Sequence, residues 1–455
     1  MSSLAKARTR AITTDPVGKV MFRLTMPMVY SIISLMAVGV VDAWFIGRLG
    51  IMELAALGFA LPVIAAVSSV ALGLGMGIST LVSRALGESD FARATALITD
   101  SRMLVLVVGV FLGWGLWLFQ DLLFTALGAT SRELSVIHEF MDVWILSVPI
   151  GLLYIVSGSA LRGAGNQVYS AYLNVVLAAV NIVLDPLLIF GFGDFQGMGM
   201  AGAAYATVLA FFISYLLGFY FLAHKERLLV FSFGGWSRLR ETCREVATIG
   251  VPAVFANLMT PVGAALMTAL VAGFRATAVA GYGVASRIES ISLVLIFALS
   301  GTLPMFIGQN IGAGKPERAW AALRGSLIFG LVLQAFVYVV LALGAAVIAG
   351  SFSDNTEVRG VLKYFLWIVP LTYGFHGVVI LVMVSLNVIK RPKTALVITF
   401  IRLICLNVPL AWLGGQIFDL AGLFAGFAMG NIFSAVAAWV LIRRAWVAEV
   451  EQTAP

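Results

Sequence analysis

Long apolar stretches alternate with short polar or basic interruptions from one end of the chain to the other. The runs begin near Leu24, Leu61, Met103, Val143, Val168, Ala201, Val246, Ala280, Leu323, Tyr364, Ala395 and Ala421. Each continues for roughly 20 residues or more, the length a helix needs to cross the hydrocarbon layer of a bilayer. The pattern predicts about twelve transmembrane helices. At about 25 to 30 residues per span with its flanks, these use up nearly the whole chain and leave short loops and two tails, with no room for a soluble domain.

The pattern is also written twice. At an offset of 225 residues, Pro27 meets Pro252, Ala55 meets Ala280, Gly58 meets Gly283 and Ala60 meets Ala285. In the same register SRALGESDFARA (83–94) lies over GQNIGAGKPERA (308–319), and near the ends MAGAAYA (200–206) pairs with LAGLFAG (420–426) at an offset of 220. Six helices are therefore repeated in parallel, since an even number of spans gives both copies one orientation. The expected architecture is an all-α integral membrane protein of twelve transmembrane helices in two pseudo-symmetric six-helix bundles. Residues 1–224 form the first, 225–244 a cytoplasmic linker and 245–455 the second, with a cavity between the bundles.

Composition agrees with this reading, at 61% apolar and 11% charged residues against about half and a quarter in soluble chains. Lys and Arg collect in the N-terminal tail (Lys6, Arg8, Arg10, Lys19), at Arg84, Arg93 and Arg102, between Lys225 and Arg244, at Lys315, Arg318 and Arg324, at Lys390, Arg391 and Lys393, and at Arg443 and Arg444. With twelve spans these segments share one side, so both termini are expected in the cytoplasm, in the inner membrane. The first apolar run is too long for a cleaved signal peptide and lacks a small-residue cleavage pattern. The net charge of +7 is accounted for by orientation and by attraction to anionic membrane lipid, so no nucleic-acid partner is implied. Cys243 and Cys405 set up no disulfide framework, and His138, His224 and His376 lack metal-ligand spacing. LGLGMG (72–77) and GAG (312–314) lack the Lys-Ser/Thr that would make a phosphate loop. No ATPase motif, cofactor site or enzymatic constellation is present in the sequence.

Asp185 raises the chemical question, because the helix NIVLDPLLIFGFG (181–193) is apolar around it. A charged side chain at bilayer depth costs at least about 2.5 to 3.5 kcal/mol and marks function by default. Asn181 and Asp185, at i and i+4, share a face with Asn174 two turns before Asn181. Pro186 displaces the carbonyl of Ile182 and adds an oxygen near the carboxylate. Such a cluster can hold a proton or a small cation. Asp42, in GVVDAWFIG (39–47), is the other carboxylate well inside a span of the first half. A buried carboxyl is poised to load and release a proton, more so beside a second one. At the same offset Asp42 aligns with Met267, and Asp185 aligns with Val408 when Pro186 is set against Pro409, so this chemistry belongs to one half. In the second half Arg287 and Glu289 lie two apart on different helix faces, and either a structural ion pair or a site is open. Asn257 and His376 either line a cavity or pack. Tyr30, Met36, Phe255, Met259 and Met267 are candidates for an adaptable apolar substrate cavity, with packing the alternative.

The segments LRGAGNQ (161–167), NIVLDPLLIFG (181–191), GMAGAAYAT (199–207) and GQNIGAGKPERA (308–319) resemble the multidrug and toxic compound extrusion (MATE) family over nearly the full length. The resemblance implies secondary active export of amphipathic, often cationic compounds, driven by an inward proton or sodium gradient, by a chain expected to act as a monomer. It places the cation site on Asp42, Asn181, Asp185 and Thr207, and a helix bend at Pro27. Helices 7 and 10 lack the interior carboxylates of the sodium-coupled branch, so the chain looks more like the DinF-like, proton-coupled branch. Na+ at Asp42, Asn181 and Asp185 remains an alternative, as does flipping of lipid-linked substrates.

Overall fold

The computed structural model describes residues 3–230 and 234–453; residues 231–233 of the expected linker lie outside the described residues. The fold is helical almost throughout. A short helix α1 (Ser3–Thr14) precedes α2 (Val17–Leu49), α3 (Ile51–Gly87), α4 (Phe91–Ala126), α5 (Ser131–Leu146), α6 (Val148–Gly163), α7 (Gln167–Phe190) and α8 (Gly199–Tyr220). Between α7 and α8 a two-residue hairpin pairs β1 (Gly191–Phe192) with β2 (Phe195–Gln196). The second half contains α9 (Trp236–Ala272), α10 (Ala276–Ser292), α11 (Val294–Gly312), α12 (Pro316–Phe352), α13 (Thr356–Ile368), α14 (Tyr373–Val388), α15 (Pro392–Phe400) and α16 (Val408–Thr453). A π-helical segment, Ile401–Asn407, joins the last two.

Helix starts follow local chemistry. Asp90 caps α4 by accepting from the Arg93 backbone at 2.9 Å, and Asn166 caps α7 by accepting from Tyr169 at 3.0 Å. Each cap satisfies a backbone donor that the first helical turn leaves unpaired.

Among the described residues, ten helices are long and apolar enough to cross a membrane. The pair α5 and α6, bent by 52°, makes an eleventh span. The segment Pro392–Glu449 supplies one more, because its 58 residues would run about 87 Å as one straight helix, far more than a bilayer needs. Instead it doubles back at Phe418 and Asp419, whose backbones leave the helical region. The returning arm lies so close that a Cβ on Gly414 would stand 2.7 Å from the carbonyl carbon of Gly422. Asn407 Nδ2 donates to Asn431 Oδ1 across the same hairpin at 3.0 Å. Among the described residues the chain thus makes twelve passes.

The buried apolar residues form two clusters. One runs from Ile46 to Ile249, and the other unites Met267 to Trp446 with Ile12, Val20, Met21 and Leu24 from the N-terminal segment. Helix α3 carries the seam between them, packing on α9 and α11 at glycines. A Cβ on Gly77 would lie 2.9 Å from the Val246 carbonyl oxygen, one on Gly87 2.9 Å from Gln309 Cα, and one on Gly312 3.0 Å from the Glu88 nitrogen. Small residues permit this approach where van der Waals contact must hold helices together. Polar ties cross at the same end. Gln309 Nε2 donates to Gly163 O at 3.2 Å, Arg84 donates to Val388 O at 3.1 Å and pairs with Glu449 at 3.1 Å, and Arg93 pairs with Glu245 at 2.8 Å. Helix α1 lies over this end. Its Arg8 pairs with buried Glu226 at 2.9 Å, while Lys315 and Arg318 donate to the carbonyls of Thr13 and Asp15 at 2.9 and 2.6 Å. All these ties lie at the end that carries the basic loops.

Candidate ion-coupling site

Helix α7 aims Asn181 and Asp185 inward one turn apart, and both are buried. Helix α2 brings Asp42, half-buried, against them, and the Asp42 and Asp185 carboxyl groups are in side-chain hydrogen-bond contact. Two carboxyl groups in such contact can share a proton between them, since adjacent like charges at low dielectric repel strongly. The Asn181 amide fits its surroundings with the nitrogen turned toward the acids, donating to Asp42 Oδ1 at 2.7 Å and to Asp185 Oδ2 at 3.3 Å. This orientation is assigned from the hydrogen bonds it satisfies. Thr207 of α8 closes the far side of the amide, its hydroxyl 3.4 Å from the amide and 3.1 Å from the Ala203 carbonyl oxygen. Asp185 Oδ1 is buried without a hydrogen-bond partner.

The third polar residue of the α7 stripe, Asn174, is held separately, donating to Ser31 of α2 and accepting from the Tyr154 hydroxyl of α6. Two helices, α2 and α6, are thereby tied to α7 through side chains that would otherwise be costly in an apolar bundle. Ser31 and Tyr154 carry no sequence signal, because a serine or tyrosine in a span is ordinary.

The other expected residues do not gather at one point. Helix α2 runs unbroken past Pro27. Tyr30 is 68% exposed and Phe255 51% exposed, whereas Met36, Asn257 and Met259 are half-buried. Met267 is packed into the second hydrophobic cluster. His376 of α14 lies with its Nδ1 3.5 Å from Glu289 Oε1, so Glu289 faces a histidine on another helix rather than Arg287, which is exposed on α10. Arg402, in the π-helical segment, completes this second polar group. It was detectable in FIRLICLN as a lone cation inside an apolar run. Among the described residues no group of three or more His, Cys, Asp or Glu side chains has metal-binding geometry.

Twelve helical passes around a buried acid pair define a multi-pass membrane transporter rather than an enzyme. The MatE family model matches residues 27–187 and 252–413, and the chain belongs to that family. The two matches begin at Pro27 and Pro252, which are the mates of the internal repeat. A Shewanella oneidensis protein described as a FAD transporter is 35% identical over 433 residues, covering 95% of this chain and 96% of its own. The multidrug export protein MepA of Staphylococcus saprophyticus is 22% identical over 428 residues, covering 94% and 93%. Among solved structures, the Vibrio cholerae MATE transporter VcmN in its bent form superposes with a TM-score of 0.90 at 29% identity, covering 97% of this chain and 99% of that one.

Proposed function

We propose that the protein exports amphipathic organic compounds, cations among them, by proton-coupled antiport, with the halves 1–224 and 245–455 exposing a shared cavity alternately to the two sides of the inner membrane. Both termini face the cytoplasm in this reading, and the protein acts as a monomer without a cofactor. MepA's description as a multidrug exporter supports the broad substrate range, with Tyr30, Met36, Asn257 and Met259 as cavity-lining candidates.

The observation that carries the reading is the hydrogen-bonded trio of Asp42, Asp185 and Asn181. Protonation lets the pair sit together in an apolar interior, and loss of the proton leaves a negative charge that the site must open to hydrate or to neutralise with a substrate. One charge moving through 100 mV is worth about 2.3 kcal/mol, enough for a roughly 50-fold substrate gradient.

The test is ethidium transport by proteoliposomes under separately imposed proton and sodium gradients. Wild type should concentrate the dye with a proton gradient alone, and Asp42→Asn and Asp185→Asn should insert normally yet fail to do so. Accumulation driven by sodium alone would remove the proton assignment. Full proton-driven transport by either variant would make that aspartate structural.

A further inference from the structure

Helix α1 touches both halves at the end that carries the basic loops. On the first half, Arg8 Nη2 donates to the two Glu226 oxygens at 2.9 and 3.2 Å. Glu226 is 1% exposed and also accepts from Asn166 Nδ2 at 2.6 Å, and Leu222 and Leu228 on either side of it are buried in the first hydrophobic cluster. Lys6 lies over the Phe91 ring at the start of α4, 5.2 Å from its centre. Ile12 stands over Gly165, where a Cβ would come within 2.7 Å of the isoleucine Cδ1. On the second half, Asn310 and Arg318 donate to the Ile12 carbonyl at 3.5 and 3.4 Å, Arg318 to Asp15 O at 2.6 Å and Lys315 to Thr13 O at 2.9 Å. The last turn of a helix leaves such carbonyls unpaired, and cations there also complement the helix dipole.

The two attachments are unequal. Helix α1 leads into α2, whose Val20, Met21 and Leu24 are buried in the second cluster together with Ile12, so the carbonyl contacts continue an apolar one. The attachment to the first half consists of an ion pair, a cation over a ring and one close approach. The start of the second half is held in the reverse sense. Val246 and Ile249 of α9 are buried in the first cluster, Arg238 donates to both Asp100 oxygens at 2.9 Å, and Arg93, the repeat mate of Arg318, pairs with Glu245 at 2.8 Å. Each half therefore holds the start of the other, and α1 grips its own half as well.

We propose that α1 is a strap that fastens the two halves at this end, and that opening of this end detaches it from the first half while it stays on the second. Arg8 and Glu226 form its clasp. Parting them removes the guanidinium from a buried carboxylate, and the widening gap admits the water that the carboxylate then needs. The inference rests on the alternating-access reading above, but a distance measured without any gradient tests it separately.

In the full-length protein in nanodiscs, with Cys243 and Cys405 replaced by Ser, spin labels at Ala92 of α4 and Glu317 of α12, both exposed, report the distance between the halves. Arg8→Ala should raise the ratio of the longer to the shorter distance at least about tenfold, the range for losing one hydrogen bond to a charged group. Arg8→Lys, which keeps the charge, should raise it less. An unchanged distribution overturns the proposal, as does a lower Tm with unchanged distances, which makes α1 a fold element only. In a second arm Lys6→Cys and Ala92→Cys, at exposed positions, are joined by a reducible bis-thiosulfonate, which pins α1 to the first half without touching the clasp. Proton-driven ethidium transport should be lost on cross-linking and return on reduction, while Lys6→Cys alone, given the same reagent, keeps it. Transport that survives cross-linking overturns the proposal, because α1 then leaves the second half instead. If the wild type transports no ethidium, the transport reading fails and the distance arm still decides whether α1 fastens the halves.

Discussion

Placing a methyl group on Gly87 or on Gly312 should open the end of the molecule that the seam closes. A Cβ at Gly87 would stand 2.9 Å from both Cα and the carbonyl carbon of Gln309, and one at Gly312 would stand 3.0 Å from the Glu88 nitrogen. All three are backbone atoms, so no side chain can rotate away, and α3 and α11 must separate by a sizeable fraction of an ångström. Overpacking of this kind costs about 1 to 3 kcal/mol. The penalty falls on the closed arrangement alone, which shifts the equilibrium toward separation of this end by about 5- to 150-fold. Spin labels at Ala92 and Glu317, exposed first-turn positions of α4 and α12, report the separation by pulsed dipolar spectroscopy once Cys243 and Cys405 are replaced by Ser. Each alanine should raise the population with the longer distance, and Gly325→Ala, where nothing lies within 4 Å of a new Cβ, should not. Unchanged distances in folded Gly87→Ala protein would refute the argument that the seam limits opening.

Three further outcomes are expected. Glu226→Ala leaves both the Asn166 amide and Arg8 without the carboxylate they share at 2.6 and 2.9 Å, and should destabilise by about 1 to 3 kcal/mol; an unchanged Tm in detergent would show that the α1 contact contributes nothing. Asn431→Leu strips the buried Asn407 amide of its acceptor and Thr372 of its donor and should cost a similar amount, read from the same melt. Arg240→Cys, in a background without Cys243 and Cys405, should react with a membrane-impermeant maleimide in inside-out vesicles and not in intact cells; labelling of intact cells would reverse the topology.

The spans and the twofold repeat were legible because a bilayer imposes a length and a polarity on every crossing. So was the inward stripe of α7, since Asn181 and Asp185 differ by one helical turn. What crosses between helices was not. No spacing rule shows that the Asn181 amide donates to Asp42, 139 positions earlier, or that Glu289 turns to His376 instead of its sequence neighbour Arg287. Met267 reads as a cavity residue because methionine tolerates any apolar setting, yet it packs in a core. Helix α1 went unmarked since its polar residues look like an orientation signal, while Ile12 is fully buried under them.

The crossing at the seam is reciprocal. Gly87 meets Gln309 while Gly312 meets Glu88 and Arg84, and at the repeat offset of 225 Gly87 is the mate of Gly312 and Arg84 that of Gln309. This is the isologous pattern of a symmetric homodimer, here enclosed within one polypeptide. A true homodimer would have to place the same residue on both sides of its axis. The single chain does not: Ser83 faces its mate Gly308, where a Cβ would lie 2.9 Å from the serine Cβ. Joining the copies has allowed a knob on one and a hole on the other, and the same licence lets one copy hold Asp42 and Asp185 where its twin has Met267 and Val408.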